Sequence, residues 1–250
     1  MDSSERFTGR VAAYDRGRPR YPRALIDRLC RGLAESAVVA DIGAGTGLLG
    51  EPFVERGHPL HAVEPNAAMR EAAARRFAGQ PGVLIRNGRA EATGLASASV
   101  GLIVVGQAFH WFDRAATRRE FLRILRPGGQ IALVWNDRLS DSSDFMRGYE
   151  ALLREYGTDY AQVEHRNLHP AVLAHFFGPE GCRLLAFANP LEYDWEALLA
   201  RLHSTSYVPG PDEPGYLSLR EGLRALFERH QQGGRVRFDY ETLAYLGTPS

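Results

Sequence analysis

Asp41 ends a short apolar run, Val38-Val39-Ala40, and leads into Ile42-Gly43-Ala44-Gly45-Thr46-Gly47. A carboxylate beside a glycine turn attracts a cationic ligand and repels a pyrophosphate. Glycines 43, 45 and 47 let the backbone reverse and approach a ligand with no Cβ in the way. Glu64 ends a second run, Leu60-His61-Ala62-Val63, and an acid at that place can accept both hydroxyls of a ribose. His110 lies in Gln107-Ala108-Phe109-His110-Trp111-Phe112-Asp113, directly after the most apolar run of the chain. An imidazole, ordinarily titrating near 6.5, can remove a proton at neutral pH; packing on Trp111 as a structural histidine is the competing role. Trp111 can face a cation, although a core anchor is the plainer expectation.

Two cofactors are compatible with the glycine run. Gly45-Thr46-Gly47-Leu48-Leu49-Gly50 satisfies the dinucleotide pattern and would make the chain an NAD(P)-dependent oxidoreductase. In a dinucleotide site, however, the strand end is apolar and the first glycine follows it closely. Here Asp41 occupies that end and a separate glycine, Gly43, opens the turn. S-adenosyl-L-methionine carries a sulfonium and an α-ammonium, and Asp41 favours both. Glu64 serves either cofactor, so Asp41 is the residue that discriminates.

These residues need elements to hold them. The β-branched pair Val38-Val39 reads as a buried strand, followed by the glycine turn and a helix carrying Phe53 and Val54. Leu25, Ile26, Leu29 and Leu33 have helical spacing over 24–34. Asn66 can cap an Ala-rich helix from Ala67 to Phe77. Gly82 to Arg86 is a third strand. Val100-Gly101-Leu102-Ile103-Val104-Val105 reads as a strand covered on both faces. A helix follows to Leu125 and stops at Arg126-Pro127-Gly128-Gly129, and Gln130 to Trp135 is the fifth strand. Cys182 to Ala188 and a stretch within 235–246 supply two more strands, the second with Val236, Phe238 and Tyr240 alternating. The expected fold is α/β, a doubly wound Rossmann-like seven-stranded sheet, parallel with a closing antiparallel strand, plus helical cap insertions. One domain should span 1–250, with 1–22 as a lid segment and 139–180 and 194–232 as caps over the acceptor. Tyr193, His203 and Tyr207 are candidate substrate-binding residues on that cap.

The chain has 250 residues, and its 30 Lys and Arg balance 30 Asp and Glu. No charge stripe points to nucleic acid or an anionic membrane. No Asn/Asp-Pro-Pro-Tyr/Phe motif for a flipped base occurs. No run approaches the roughly 18 apolar residues of a membrane span, and the N-terminus has no apolar core of a signal peptide. A cytoplasmic protein with two buried free thiols, Cys30 and Cys182, is the expectation. His165 and His169 have metal-like i, i+4 spacing, but Pro170 breaks the helix and no third ligand follows, so no metal is assigned.

Asp41-Ile42-Gly43-Ala44-Gly45-Thr46-Gly47, Glu64-Pro65-Asn66 and Leu125-Arg126-Pro127-Gly128-Gly129 together resemble a class I S-adenosylmethionine-dependent methyltransferase. Tyr14-Asp15-x-x-Arg18-Pro19-x-Tyr21-Pro22 and the run 107–113 resemble the small-molecule branch that includes trans-aconitate-methyltransferase-like proteins. The resemblance implies that Gly43, Ala44 and Gly45 line the methionine end of the cofactor and Glu64 the ribose. Met69 would pack near the adenine, with Ala90 and Glu91 at its edge. Gln107 would border the methionine, and Tyr14 and Arg18 would close over the site. Many members carry an acid where this chain has Gly101. The implied reaction is in-line methyl transfer to a small molecule, driven mainly by positioning, with His110 as a base where the acceptor must lose a proton. A cofactor-binding protein that transfers no methyl group would carry the same motifs.

Overall fold

The computed structural model describes residues 17–157, 170–205 and 207–248. Its strands are β1 (Val39–Ile42), β2 (Leu60–Val63), β3 (Val83–Arg86), β4 (Val100–Gly106), β5 (Leu125–Arg138), β6 (Arg183–Ala188), β7 (Leu191–Tyr193), β8 (Val236–Phe238) and β9 (Tyr240–Gly247). Its helices are α1 (Arg23–Cys30), α2 (Glu51–Val54), α3 (Ala67–Arg76), α4 (Arg114–Ile124), α5 (Asp144–Tyr156), α6 (Pro170–Phe177), α7 (Trp195–His203) and α8 (Tyr216–His230). Seven strands form one sheet in the order β3-β2-β1-β4-β5-β9-β6. β9 runs antiparallel to both β5 and β6, and the pairings from β3 to β5 are parallel.

The unbroken apolar character of β4 has the anticipated cause. Ile103 and Val105 enter one core with Phe109, Phe121 and Ile124, while Leu102 and Val104 enter the other with Leu25, Ile26 and Phe53. The chain winds outward from β1 to β3 and then crosses to β4 on the other side. The sheet order therefore reverses between β1 and β4, and ligands of such sheets bind at the carboxyl ends beside that point. Side-chain caps fix where several helices begin. Asn66 accepts from the Met69 amide at 2.9 Å, Asp113 from Ala116 at 3.0 Å and Asp194 from Ala197 at 2.9 Å, each worth about 1 kcal/mol.

Several elements depart from the sequence reading. The helix after the glycine turn is a single turn, Glu51–Val54. Arg126-Pro127-Gly128-Gly129 lies inside β5, where the register with β4 shifts between Val100 and Leu102. The last strand divides: Val236–Phe238 pairs with Leu191–Tyr193 in a separate ribbon, and β9 starts at Tyr240. Alternation runs unbroken from Val236 to Tyr240, so period alone cannot locate the division. The stretch 139–180 also divides. α5 joins α7 and α8 around Phe145, Tyr149, Leu153, Leu198, Leu219 and Phe227. α6 instead lays Leu173, Phe176 and Phe177 against the sheet core, and the Arg118 Nε donates to the Phe176 carbonyl at 2.9 Å. Cys30 and Cys182 are free but only partly buried, and burial raises both thiols.

Candidate cofactor and acceptor site

The turn after β1 is built on left-handed backbone at Gly43, Gly45 and Gly47, with φ of +70°, +56° and +87°. The three glycines differ in surroundings. A Cβ on Gly43 would lie 2.8 Å from Ala108 Cβ, and one on Gly47 would lie 2.4 Å from Phe77 Cε2. A Cβ on Gly45 would meet nothing within 4 Å; it would project into open space. The turn is tied to β2 by the Gly43 and Ala44 amides, which donate to the Val63 carbonyl at 2.8 and 3.1 Å.

Glu64, directly after β2, holds the turn by its carboxylate. Oε2 accepts from the Gly45 amide at 2.9 Å and Oε1 from the Asn66 amide at 2.8 Å. Burial raises its pKa, and these two amides and Arg70 oppose the rise. Asp41 is almost fully buried. Burial and then the nearby charge of Glu64 push it up to about 7, against the hydrogen bond from the Gly50 amide. Its Oδ2 has no hydrogen-bond partner among the described residues.

This arrangement decides between the two cofactors. In the dinucleotide motif the last glycine opens a helix whose free amides meet a pyrophosphate. Here the amide of that glycine, Gly50, is taken by Asp41, and two carboxylates stand beside the turn. A cation lowers the energy of that pair, and a pyrophosphate raises it. The orphaned Asp41 Oδ2 and the open space at Gly45 fit a ligand carrying a sulfonium and an ammonium.

The cleft above Asp41 is walled by Gly43 and Ala44, by Gln107 after β4, by Asn136 on β5, and by Arg18, Pro19 and Tyr21. Gln107 has a φ of 58°, a left-handed conformation that costs a non-glycine residue about 1 kcal/mol or more. Its amide donates to the Val134 carbonyl at 2.9 Å and its Nε2 to the Asn136 carbonyl at 3.2 Å. Residues 17–21 form a strap across the carboxyl end of the sheet. Asn136 Nδ2 donates to the Pro19 carbonyl at 3.2 Å and Asn189 Nδ2 to the Arg20 carbonyl at 2.8 Å. Thr242 Oγ1 donates to Asn136 Oδ1 at 2.5 Å. Arg18 Nη2 donates to the Ser204 carbonyl at 3.1 Å, which links the strap to the end of α7. Sequence reasoning missed Asn136 and Asn189; the one signal was an amide directly after the apolar run Ile131 to Trp135.

Other anticipated residues scatter more widely. Met69 is buried in the first turn of α3. Ala90 is part of the sheet core, and the Glu91 carboxylate turns to the Asp113 amide at 2.9 Å, backing the start of α4. His110 sits in a 3-10 turn, Phe109–Trp111, with its ring 4.5 Å from that of Trp111. Trp111 is not a core anchor: it is 42% exposed, because Phe109 takes the inward position of that turn. Tyr193 is buried in the cap. His203 Nε2 is 2.9 Å from the Tyr216 hydroxyl, and Tyr207 packs against the cap core. Tyr14, His165 and His169 lie outside the described residues. A side chain at Gly101 would stand 3.0 Å from Ala37 Cβ and 3.1 Å from the Arg126 guanidinium, so an acid there would need both to move. Among the described residues no group of three or more His, Cys, Asp and Glu could hold a metal, and no helix is long and apolar enough to cross a membrane.

Comparison with known proteins converges on the same chemistry. The family profile described as "Methyltransferase domain" matches residues 40–133. Over those residues the chain is similar to methyltransferase domains. The chain is 43% identical over 137 residues to an uncharacterized methyltransferase of Mycobacterium tuberculosis. That stretch is 55% of this chain and 54% of the relative, so the chain matches about half the relative's length. An uncharacterized methyltransferase-like protein of Schizosaccharomyces pombe is 28% identical over 249 residues, 96% of this chain and 93% of its own. A solved structure from Anaeromyxobacter dehalogenans, described as a provisional type II methyltransferase, superposes with a TM-score of 0.70 at 25% identity, covering 93% of this chain and 99% of that one. S-adenosyl-L-methionine is the cofactor that these likenesses support. The trans-aconitate-like branch is not singled out by these likenesses.

Proposed function

We propose that this chain transfers a methyl group from S-adenosylmethionine to a small-molecule acceptor. The observation that carries the reading is the buried Asp41 carboxylate, whose Oδ2 has no partner among the described residues. When bound, the cofactor supplies an electrophilic methyl group on a sulfonium. Asp41 neutralises positive charge at the methionine end, and Gly43, Ala44 and Gly45 give the backbone close approach there. Glu64 keeps spare lone pairs for the ribose hydroxyls, since each oxygen already accepts one amide. Met69, with Ala90 and Glu91, is assigned to the adenine side. Gln107, Arg18 and, outside the described residues, Tyr14 are assigned to the methionine end and its cover.

Displacement at the methyl carbon requires the nucleophile opposite the leaving sulfur, so holding the acceptor on that line supplies most of the acceleration. The cap formed by α5, α7 and α8 excludes water and shapes that pocket, with Tyr193, His203 and Tyr207 among its residues. For an acceptor that must lose a proton, His110 takes it at a ring nitrogen, and Trp111 flanks the acceptor. Incubation of metabolite extracts with methyl-labelled cofactor, followed by mass spectrometry, tests the reading. A labelled small molecule is expected; label confined to macromolecules would contradict it.

A further inference from the structure

Gln107 holds a backbone conformation that glycine adopts without strain. Its φ is 58°, and Ala98 is the only other non-glycine residue with a positive φ among the described residues. The left-handed residue turns the chain at the end of β4 while its amide stays bonded to the Val134 carbonyl at 2.9 Å. Ala108 and Phe112 then press on the glycine turn: a Cβ on Gly43 would stand 2.8 Å from Ala108 Cβ and 3.2 Å from Phe112 Cζ. Glycine would make the same turn at no steric cost. Strain kept where a glycine would relieve it points to a use for the side chain.

That side chain is held at one end. Nε2 donates to the Asn136 carbonyl at 3.2 Å. A backbone carbonyl only accepts, so the amide nitrogen must face it and Oε1 must face away. Asn136 is itself fixed: its Nδ2 donates to the Pro19 carbonyl, its Oδ1 accepts from Thr242 and Asn189, and its backbone lies opposite Thr242 in the β5–β9 register. No donor meets Gln107 Oε1 among the described residues. Gln107 is partly buried and walls the same cleft as Asp41, Gly43 and Ala44. An amide of fixed orientation thus leaves an unmet oxygen at the carboxyl end of β4, beside the methionine end of the cleft. Asp41 and Glu64 already supply negative charge there. A neutral amide oxygen adds selection of a different kind, since it accepts from a hydroxyl or an N–H and turns away a lone pair.

We propose that Gln107 determines acceptor specificity, its Oε1 accepting a hydrogen bond from the hydroxyl or N–H group that receives the methyl. The proposal rests on the methyltransferase reading above and narrows it to acceptors whose nucleophilic atom carries a hydrogen. Gln107 is a positioning residue: it orients that group and takes no proton. A carboxylate acceptor offers only lone pairs and is repelled by the same oxygen.

The α-ammonium of the cofactor is the rival donor, and calorimetry with two ligands separates them. S-adenosylhomocysteine and sinefungin both carry the α-ammonium. Sinefungin alone has an amine on carbon in place of the sulfonium methyl, where cofactor and acceptor meet. Gln107→Met keeps the length of the side chain and removes both polar atoms. It is expected to weaken sinefungin about tenfold, the loss of one hydrogen bond from a charged donor, and S-adenosylhomocysteine by less than about twofold. Gln107→Glu restores an acceptor oxygen and should recover sinefungin binding. Gln107→Gly relieves the backbone and should show the same selective loss, which keeps the test open if Gln107→Met fails to fold. Equal losses for the two ligands would give the oxygen to the α-ammonium or to the fold and overturn the proposal, as would no loss for either. Transfer of label from methyl-labelled cofactor to a carboxylate in extracts would overturn the acceptor class. A parent protein that binds neither ligand would instead overturn the methyltransferase reading.

Discussion

Asp41 is ionised only against the preference of its surroundings. Its folded-state pKa of about 7 lies above the ordinary 3.8. The sign follows: its contribution to folding is fully present below about pH 4 and is lost as pH rises through 7. Asp41→Asn should therefore melt at the same temperature as the parent near pH 4 and higher at pH 8, a gain of up to about 4 kcal/mol. The same substitution should weaken S-adenosylmethionine binding at least about tenfold, the loss of one buried charge contact. A melting curve that ignores pH in the comparison would contradict the assigned protonation. His110→Ala should cut turnover while leaving cofactor affinity within about twofold, as calorimetry and steady-state kinetics would read; unchanged turnover would remove His110 from the chemistry. Asp41 and Glu64 were legible in the sequence because each stands where an apolar run stops. The burial of Arg201 on α7 was not, since an arginine is ordinarily a surface residue. Its burial is set by tyrosines from α5, β7 and β9, far away in the chain.

The glycine turn and the strap are the elements on which the site rests. Gly45→Ala and Gly47→Ala both force an alanine into left-handed backbone, about 1–2 kcal/mol. Only Gly47→Ala adds a collision, with Phe77 Cε2 at 2.4 Å. Gly47→Ala should thus show the larger fall in melting temperature, and Gly45→Ala the larger loss of cofactor affinity relative to its stability loss. The strap gives a parallel case. Asn136→Ala removes the bond to the Pro19 carbonyl and leaves the Thr242 hydroxyl unmet, a loss of about 1–3 kcal/mol. It should also speed proteolytic cleavage ahead of Tyr21 and raise the dissociation constant for S-adenosylhomocysteine; cleavage at the parental rate would show that the clamp does not hold the strap. Strand positions and caps such as Asn66 and Asp113 were readable from local chemistry. The ribbon β7–β8 was not, because three-residue strands carry too little period to separate from loop.

At the scale of the molecule, β4 and its flanking cores declared the doubly wound sheet, since a run buried on both faces has few other homes. The placement of α6 with the sheet and α5 with the cap was hidden, as both are amphipathic and differ only in their partners. The resulting molecule sets two carboxylates, Asp41 and Glu64, at the switch point between β1 and β4, with the strap of residues 17–21 beside them. That placement of charge is the central claim: a cationic cofactor is held beside the two carboxylates. Calorimetry of the intact chain with S-adenosylhomocysteine and with NAD tests it most directly. Binding of S-adenosylhomocysteine at one per chain with a dissociation constant of about micromolar order, lost in Asp41→Asn and absent for NAD, is the predicted result. Binding of NAD with no response to S-adenosylhomocysteine would contradict it.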